Sequence, residues 1–198
     1  MASPPGLCTV KIHERVIAGV DEAGRGPWAG PVVAAAVALH ALYFSEKIDD
    51  SKRLTASQRE RAFNEIIQKA SVGVGVVSAA LIDRINILNA TRAAMEQALY
   101  NLSRKTRFAF IDGTVSLNLS FPYCSVKKGD QRLLSVSCAS IIAKVTRDRM
   151  MQIYDTFYPG YGFASHKGYG TKEHLDALRR LGPCPLHRKS FKPLQCVV

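Results

Sequence analysis

The sequence predicts a mixed α/β layer fold, on three observations. Short β-branched or small-residue runs bounded by Gly and Pro occupy the first part of the chain. Segments with a 3.6-residue apolar period alternate with further runs of that kind. No repeat, low-complexity tract or linker interrupts them. At 198 residues, with 47% hydrophobic and 22% charged residues, the chain has the size and composition of one domain that buries its own core. We therefore expect a single domain over residues 1–198, with about 1–14 as a flexible N-terminus and a basic C-terminal region over about 160–198.

Residues 16–20 (VIAGV) and 32–39 (VVAAAVAL) read as strands joined by the turn-rich DEAGRGPWAGP, a hairpin. From Thr55, the apolar positions Ala62, Phe63, Ile66, Ile67 and Ala70 make a helical stripe, and Thr55 with Gln58 is spaced as a capping box. VGVGVVSA at 72–79 is a third strand. A second helix starts at about Asn89 and turns Ala94, Met95, Ala98, Leu99 and Leu102 inward; RFAFID at 107–112 is a fourth strand. CSVKKGD at 124–130 reads as a short strand running into a loop, its strand signal diluted by Lys127, Lys128 and Gly129. Over 133–157, Val136, Ala139, Ile142, Ala143, Val145 and Met150 follow a helical period, with Lys144, Arg147, Asp148 and Arg149 on the polar side. After a Gly- and Tyr-rich loop comes a helix at 171–182, with Thr171 as N-cap, Glu173 in the first turn, Arg179 and Arg180 in the last, and Gly182 as its stop; the tail is expected on the surface.

Charge narrows the function. With 27 Lys+Arg against 16 Asp+Glu, the net charge of +11 favours a polyanionic partner, nucleic acid first. The five cysteines, Cys8, Cys124, Cys138, Cys184 and Cys196, show no C-x-x-C pair and read as reduced thiols. No signal-peptide core or membrane-length apolar run is present, so a cytoplasmic protein without a membrane partner is expected.

Against that basic background, four acids fall at strand or loop edges. Asp21 and Glu22 end an apolar strand, Asp112 ends RFAFID, and Asp130 follows Gly129. A carboxylate pair beside an apolar strand is costly unless hydrated, protonated or bound to a cation. Clustered oxygen ligands suit Mg²⁺ or Mn²⁺. Successive strand residues point to opposite faces, so Asp21 and Glu22 share a site only if the strand ends or bulges between them, a bend that Gly24 and Gly26 allow. Taken singly, each acid also reads as a turn residue or helix cap.

GRGPWAG has glycines after a strand, as a dinucleotide fold does, but the spacing is G-x-G-x-x-x-G, Pro27 removes a donor and the neighbouring acids repel a pyrophosphate. A glycine loop carrying Arg25 instead lets its backbone approach a nucleic-acid backbone, where a 2′-hydroxyl is available. YPGYGFASHKGYGTKEH at 158–174 interleaves Tyr158, Tyr161, Phe163 and Tyr169 with His166, Lys167 and Lys172, a pattern suited to nucleic acid or to a Tyr/Gly loop packed on the core. Cys184 and His187 are half of a zinc site with no partner pair.

DEAGRGP at 21–27, DSKRLT at 50–55, IDG at 111–113, KKGD at 127–130, SCASIIAKVTRDR at 137–149 and HKGYGTKEH at 166–174 together resemble bacterial ribonuclease HII, from about Val16 to Phe191, and HRKSF at 187–191 is similar to that family's closing motif. The resemblance implies an RNase H-like fold, a mixed five-stranded sheet flanked by helices with a short helical C-terminal region. It implies that Asp21, Glu22, Asp112 and Asp130 are the catalytic metal ligands, with Asp21 shared between two Mg²⁺ or Mn²⁺ ions and Glu22 contributing its side chain or carbonyl. It implies hydrolysis of the RNA strand of RNA/DNA hybrids and incision 5′ to single ribonucleotides in duplex DNA, leaving 5′-phosphate and 3′-hydroxyl ends, by a monomer. Gly24, Arg25 and Gly26 would read the ribose 2′-hydroxyl, Tyr169 would pack on the adjoining deoxyribose, and Ser51, Lys52 and Lys167 would contact backbone phosphate. Trp28 departs from the small residues usual after GRGP, and little chain follows Phe191. The rival readings are a metal nuclease with another substrate and a non-catalytic hybrid-binding module.

Overall fold

The computed structural model describes residues 17–103 and 106–195. The expectation for residues 1–14, and Cys8 and Cys196, lie outside the described residues. Five strands, β1 (Ile17–Ala23), β2 (Val32–Leu39), β3 (Ala70–Val77), β4 (Phe108–Asp112) and β5 (Tyr123–Val126), form one sheet in the order β3-β2-β1-β4-β5. β1–β2 and β2–β3 are antiparallel, whereas β1–β4 and β4–β5 are parallel. The expected hairpin is β1–β2. The mixed sheet flanked by helices is the fold class expected from the sequence.

The alternation of side chains divides the core into two layers. On one face, Ala18, Val20, Ala34 and Ala36 pack with Ile82, Ala94, Met95 and Ala98 of helix α2 (Ala79–Tyr100). On the other, Ala35 and Val37 pack with Ala62 and Ile66 of α1 (Ala56–Lys69) and with Cys138, Ala139, Ile142 and Val145 of α3 (Leu134–Phe157). Small residues in β1 and β2 let the helices approach closely. A Cβ on Gly19 would meet the backbone of Ser135 and Val136 at the start of α3.

The capping box at Thr55 and Gln58 forms as expected, with Gln58 N donating to Thr55 Oγ1 at 3.2 Å and Thr55 N to Gln58 Oε1 at 2.8 Å. Ala70 is not on the helical stripe but opens β3 directly, in extended conformation. α2 starts at Ala79, ten residues before the expected Asn89, because it is two segments joined at Asn86 (φ 65°, ψ 166°). Asn86 Oδ1 accepts Asn89 N at 3.1 Å and so caps the second segment, the one whose periodicity is visible.

Two further expectations are corrected. Arg147 is buried rather than on the polar side of α3, and Met151, not Met150, is the fully buried methionine there. The tail is not wholly a surface feature either, since His187, Arg188 and Leu194 are buried. α4 (Phe163–His166), α5 (Lys172–Leu181) and α6 (Lys192–Gln195) complete the chain, and Ala29, Met151, Tyr161, Phe163, Ala177 and Cys184 form a small core that ties this region to the rest. Thr171 caps α5, its hydroxyl accepting His174 N at 3.2 Å, and Gly182 ends it as expected.

Candidate active site

β1 pairs with β2 in unbroken register through Ala23, but with β4 only through Val20–Ile111. No bulge therefore separates Asp21 from Glu22; instead, β1 outruns its parallel neighbour. Asp21 keeps the α3 side of the strand, and Glu22 reaches the same opening past the end of β4. Asp112 closes β4 at the same, carboxyl end of the parallel pair, the place where open α/β sheets present their ligand sites. Asp130 arrives on a 3₁₀ turn (Gly129–Gln131) entered through Lys128 in left-handed conformation (φ 55°). Gly129 N donates to Asp112 Oδ1 at 2.7 Å and ties that turn to β4.

The four acids line one cavity of about 540 Å³ together with Gly24, Arg25, Gly26, Ser51, Lys52, Ser140, Lys144 and Tyr169. Asp21 and Asp130 are buried, at 5% and 8% exposure. Burial, then the neighbouring charges of Glu22 and Asp112, pushes the Asp21 carboxyl well above the usual range, against the pull of a hydrogen bond from Ser140. Burial also raises Glu22, opposed chiefly by Arg25, whose Nη1 stands 3.5 Å from Glu22 Oε1. Asp130 is raised by burial and by Asp112 and Asp50.

The donor chemistry fits a hard divalent cation: oxygen ligands only, in a region where shedding protons is costly until a positive charge arrives. Among the described residues, no three His, Cys, Asp or Glu side chains already close around a metal-sized point.

The glycine loop is built by two different constraints. At Gly24 (φ 95°) the missing Cβ is replaced by Arg147, so any side chain would collide with the guanidinium stem. At Gly26 no atom of the described residues, its own chain neighbours aside, comes nearer than 4.0 Å to where a Cβ would be, the closest being Tyr169 Cε1. Tyr169 is 44% exposed at the cavity rim, with Lys144 Nζ 6.0 Å and Arg147 Cζ 5.9 Å from its ring centre. Ser51 is buried, its hydroxyl 3.0 Å from that of Ser140, and Asp50 fixes the turn by accepting Lys52 N at 2.9 Å.

Of the metal-ligand and substrate-contact residues that the resemblance implies, Lys167 alone is absent from this cavity, and of the aromatic and basic residues at 158–174 only Tyr169 lines it. Lys167 lines an adjacent one with Arg59, Glu60, Lys144, Asp148, Gln152 and Ser165. Lys144 faces both. Ser140 and Lys144 were passed over by the sequence reading, although their spacing of four on α3 puts them on one helix face. Trp28 packs on His174, ring centres 5.6 Å apart, and over Gly170.

The arrangement assembles acids, a bare glycine backbone and basic groups for work on a phosphodiester. Comparison with known proteins decides the family: the model of the ribonuclease HII family matches residues 18–194. The chain belongs to the ribonuclease HII family. It is 55% identical to the ribonuclease HII of Geobacter metallireducens, across 89% of this chain and 83% of that protein. It is 53% identical to the ribonuclease HII of Acholeplasma laidlawii, across 90% and 88%. Among solved structures, it is similar to the ribonuclease H2 of Pyrococcus horikoshii, with a TM-score of 0.75 and 28% identity over 91% of this chain and 96% of that one. The ribonuclease HII family places it among the endoribonucleases, and the motif resemblance is confirmed over nearly its full expected span. Among the described residues, no helix is long and apolar enough to cross a membrane.

Proposed function

We propose that this ribonuclease HII family member hydrolyses the RNA strand of RNA/DNA hybrids and incises 5′ to single ribonucleotides embedded in duplex DNA, leaving 5′-phosphate and 3′-hydroxyl ends. The observation that carries the reading is the convergence of Asp21, Glu22, Asp112 and Asp130 with the glycine loop around one cavity, at the carboxyl ends of β1 and β4.

In this reading, Asp21, Glu22, Asp112 and Asp130 would hold Mg²⁺ or Mn²⁺, two ions when substrate is bound, and Asp21 would be a ligand to both. Such a cation would supply Lewis-acid activation of a water and offset negative charge on the phosphoryl and leaving oxygens. The chain's own groups select and hold the strand. Gly26, with space where its side chain would be, admits the ribose next to the backbone, and Gly24 and Arg25 complete that surface. Tyr169 offers an exposed ring to the adjoining deoxyribose. Lys52 and Ser51 stand beside the acids to take a phosphate, and Lys167 takes one farther along the duplex from the adjacent cavity. The net charge of +11 supports the docking of a polyanion and predicts binding that weakens steeply as salt is added.

The test is cleavage of an end-labelled DNA duplex with one ribonucleotide, beside an all-DNA control, in Mg²⁺, Mn²⁺ or chelator, by the wild type and Asp112→Asn. Metal-dependent incision 5′ to the ribonucleotide, absent in the variant, supports both reaction and site. No incision by folded wild type with either metal refutes the single-ribonucleotide activity. Cleavage left intact by Tyr169→Ala would remove the junction-reading role of that ring.

A further inference from the structure

Two arginines lie beneath the Gly24–Pro31 segment without an acid to neutralise them. Arg147 of α3 is 1% exposed and Arg188, between α5 and α6, is 0% exposed. Neither takes part in an ion pair among the described residues. Each spends its guanidinium on main-chain carbonyls. Arg147 donates from Nε to Pro31 O at 3.0 Å, from Nη2 to Ala29 O at 3.1 Å and from Nη1 to Lys167 O at 3.0 Å. Arg188 donates from Nε to Gly30 O at 3.0 Å, from Nη1 to Arg25 O at 2.9 Å and from Nη2 to Gly24 O at 2.6 Å.

Like charges buried close together are costly, and Arg188 shows it: burial, then the nearness of Arg147, brings it down to about 9. Apolar side chains could cover the loop but would leave its inward carbonyls without donors. What two guanidiniums add is direction, since each planar fork fixes three carbonyls at once, which a lysine ammonium on a flexible stem does not.

Direction matters because of the peptide plane. In a trans peptide, the C=O and the following N–H point to opposite sides, and every peptide described here is trans. With Gly24 O and Arg25 O drawn inward to Arg188, the amides of Arg25 and Gly26 point outward. Neither amide has an acceptor among the described residues. Both residues line the acidic cavity. Two successive free amides make a concave donor pair suited to an oxygen ligand. Gly24 follows the same plan, since Arg147 occupies the space of its Cβ, whereas at Gly30 that space is taken first by Met151 Sδ, 2.3 Å from where a Cβ would be.

We propose that Arg147 and Arg188 are positioning residues for ribose recognition: by holding the loop's carbonyls inward, they aim the Arg25 and Gly26 amides at the sugar 2′-hydroxyl and set ribose-over-deoxyribose discrimination without touching the substrate. This rests on the single-ribonucleotide reading above.

The experiment compares wild type, Arg147→Lys and Arg188→Lys, which keep the charge and lose the fork. Steady-state kinetics are measured on a duplex with one ribonucleotide, and Kd is measured for the matched all-DNA duplex in chelator. The expected result is a rise in KM that lowers kcat/KM on the ribonucleotide duplex about 10- to 100-fold, with Kd for all-DNA duplex within about twofold of wild type. A purely structural role lowers active fraction, reducing kcat at constant KM; that outcome, or unchanged kinetics, overturns the proposal. Should the lysine variants not fold, amide resonances of Arg25 and Gly26 in the metal-free wild type are followed on adding each duplex. Shifts produced by the ribonucleotide duplex and not by DNA support the aim of these amides, and identical responses overturn it. Failure of the wild type itself to cut the ribonucleotide duplex refutes the underlying reading; cutting by wild type with an unchanged KM in the variants refutes only the positioning role.

Discussion

Two clusters of like charge flank the same glycine loop, and the fold treats them differently. Arg147 and Arg188 lie below it, each donating to three carbonyls, and no side-chain nitrogen of either is a buried atom without a partner. Asp21, Glu22, Asp112 and Asp130 line the cavity on the other side, and Asp21, Glu22 and Asp130 hold their protons above the ordinary range because burial is not matched by nearby positive charge. The arginines are complete within the chain itself. On the proposed function the acids are complete only when a cation joins them, so stability should respond to metal at one cluster and not at the other.

The largest expected effect is at the acids. Asp21→Asn should lower metal-dependent cleavage by about three orders of magnitude, the loss of several kcal/mol of charge stabilisation. The same change should stabilise the metal-free protein at neutral pH. The Asp21 carboxyl titrates above its ordinary 3.8 when folded, so the folded chain retains a proton that the unfolded chain releases. The resulting penalty is absent below pH 3.8, grows as pH rises and is complete above the folded value. Denaturant unfolding in chelator should show wild type less stable than the variant at pH 7, with the gap closing toward pH 3.8, and Mg²⁺ should stabilise wild type alone. A gap that widened on acidification would break the contrast between the clusters.

The next effect divides the loop between them. Gly24→Ala forces a side chain onto Arg147 at φ 95° and should cost about 3 kcal/mol or more in thermal or denaturant unfolding. Gly26→Ala meets only open space, so stability should stay within about 0.5 kcal/mol while incision at a single ribonucleotide falls. Equal destabilisation by both would mean that Gly26 is glycine for the protein's own sake.

The smallest concerns the C-terminal segment that carries Arg188. His187 is pushed down to about 4 by burial and then by His174, whose Nε2 is 3.1 Å from its own. Its contribution is therefore full above the ordinary 6.5 and is lost as pH falls toward 4, because the unfolded chain takes up the proton first. Relative to His187→Gln, wild type should lose about 3 kcal/mol over that range. Parallel curves for the two proteins would show that the imidazole is not held neutral.

Much of the site was legible because its chemistry conflicts with its surroundings. Acids at the ends of apolar strands and a Gly-Arg-Gly loop in a basic chain are visible without a structure, and the structure brings Asp21, Glu22, Asp112, Asp130, Ser51 and Tyr169 to one cavity. What escaped notice shares one cause. Arg147 falls on a polar-looking turn of α3 and Arg188 in a short basic tail, and an arginine destined for burial looks like any other until its acceptors are known. Five of the six acceptors lie 116 to 164 residues away along the chain. Lys167 has the composition of a phosphate ligand, but its left-handed backbone at the end of α4 turns it to the neighbouring cavity.

By itself, the sequence determined the layer architecture, the hairpin, the capping of α1 and α5 and the kinds of residue that line the candidate site, because periodicity, caps and misplaced charge are local properties. Only the tertiary structure decided that β1 outruns β4 so that neighbouring acids share an opening, that Asn86 divides α2, and which glycine makes room for a packed side chain and which faces the cavity. Each of these depends on what packs against a residue from a distant part of the chain, and no local pattern encodes that partner.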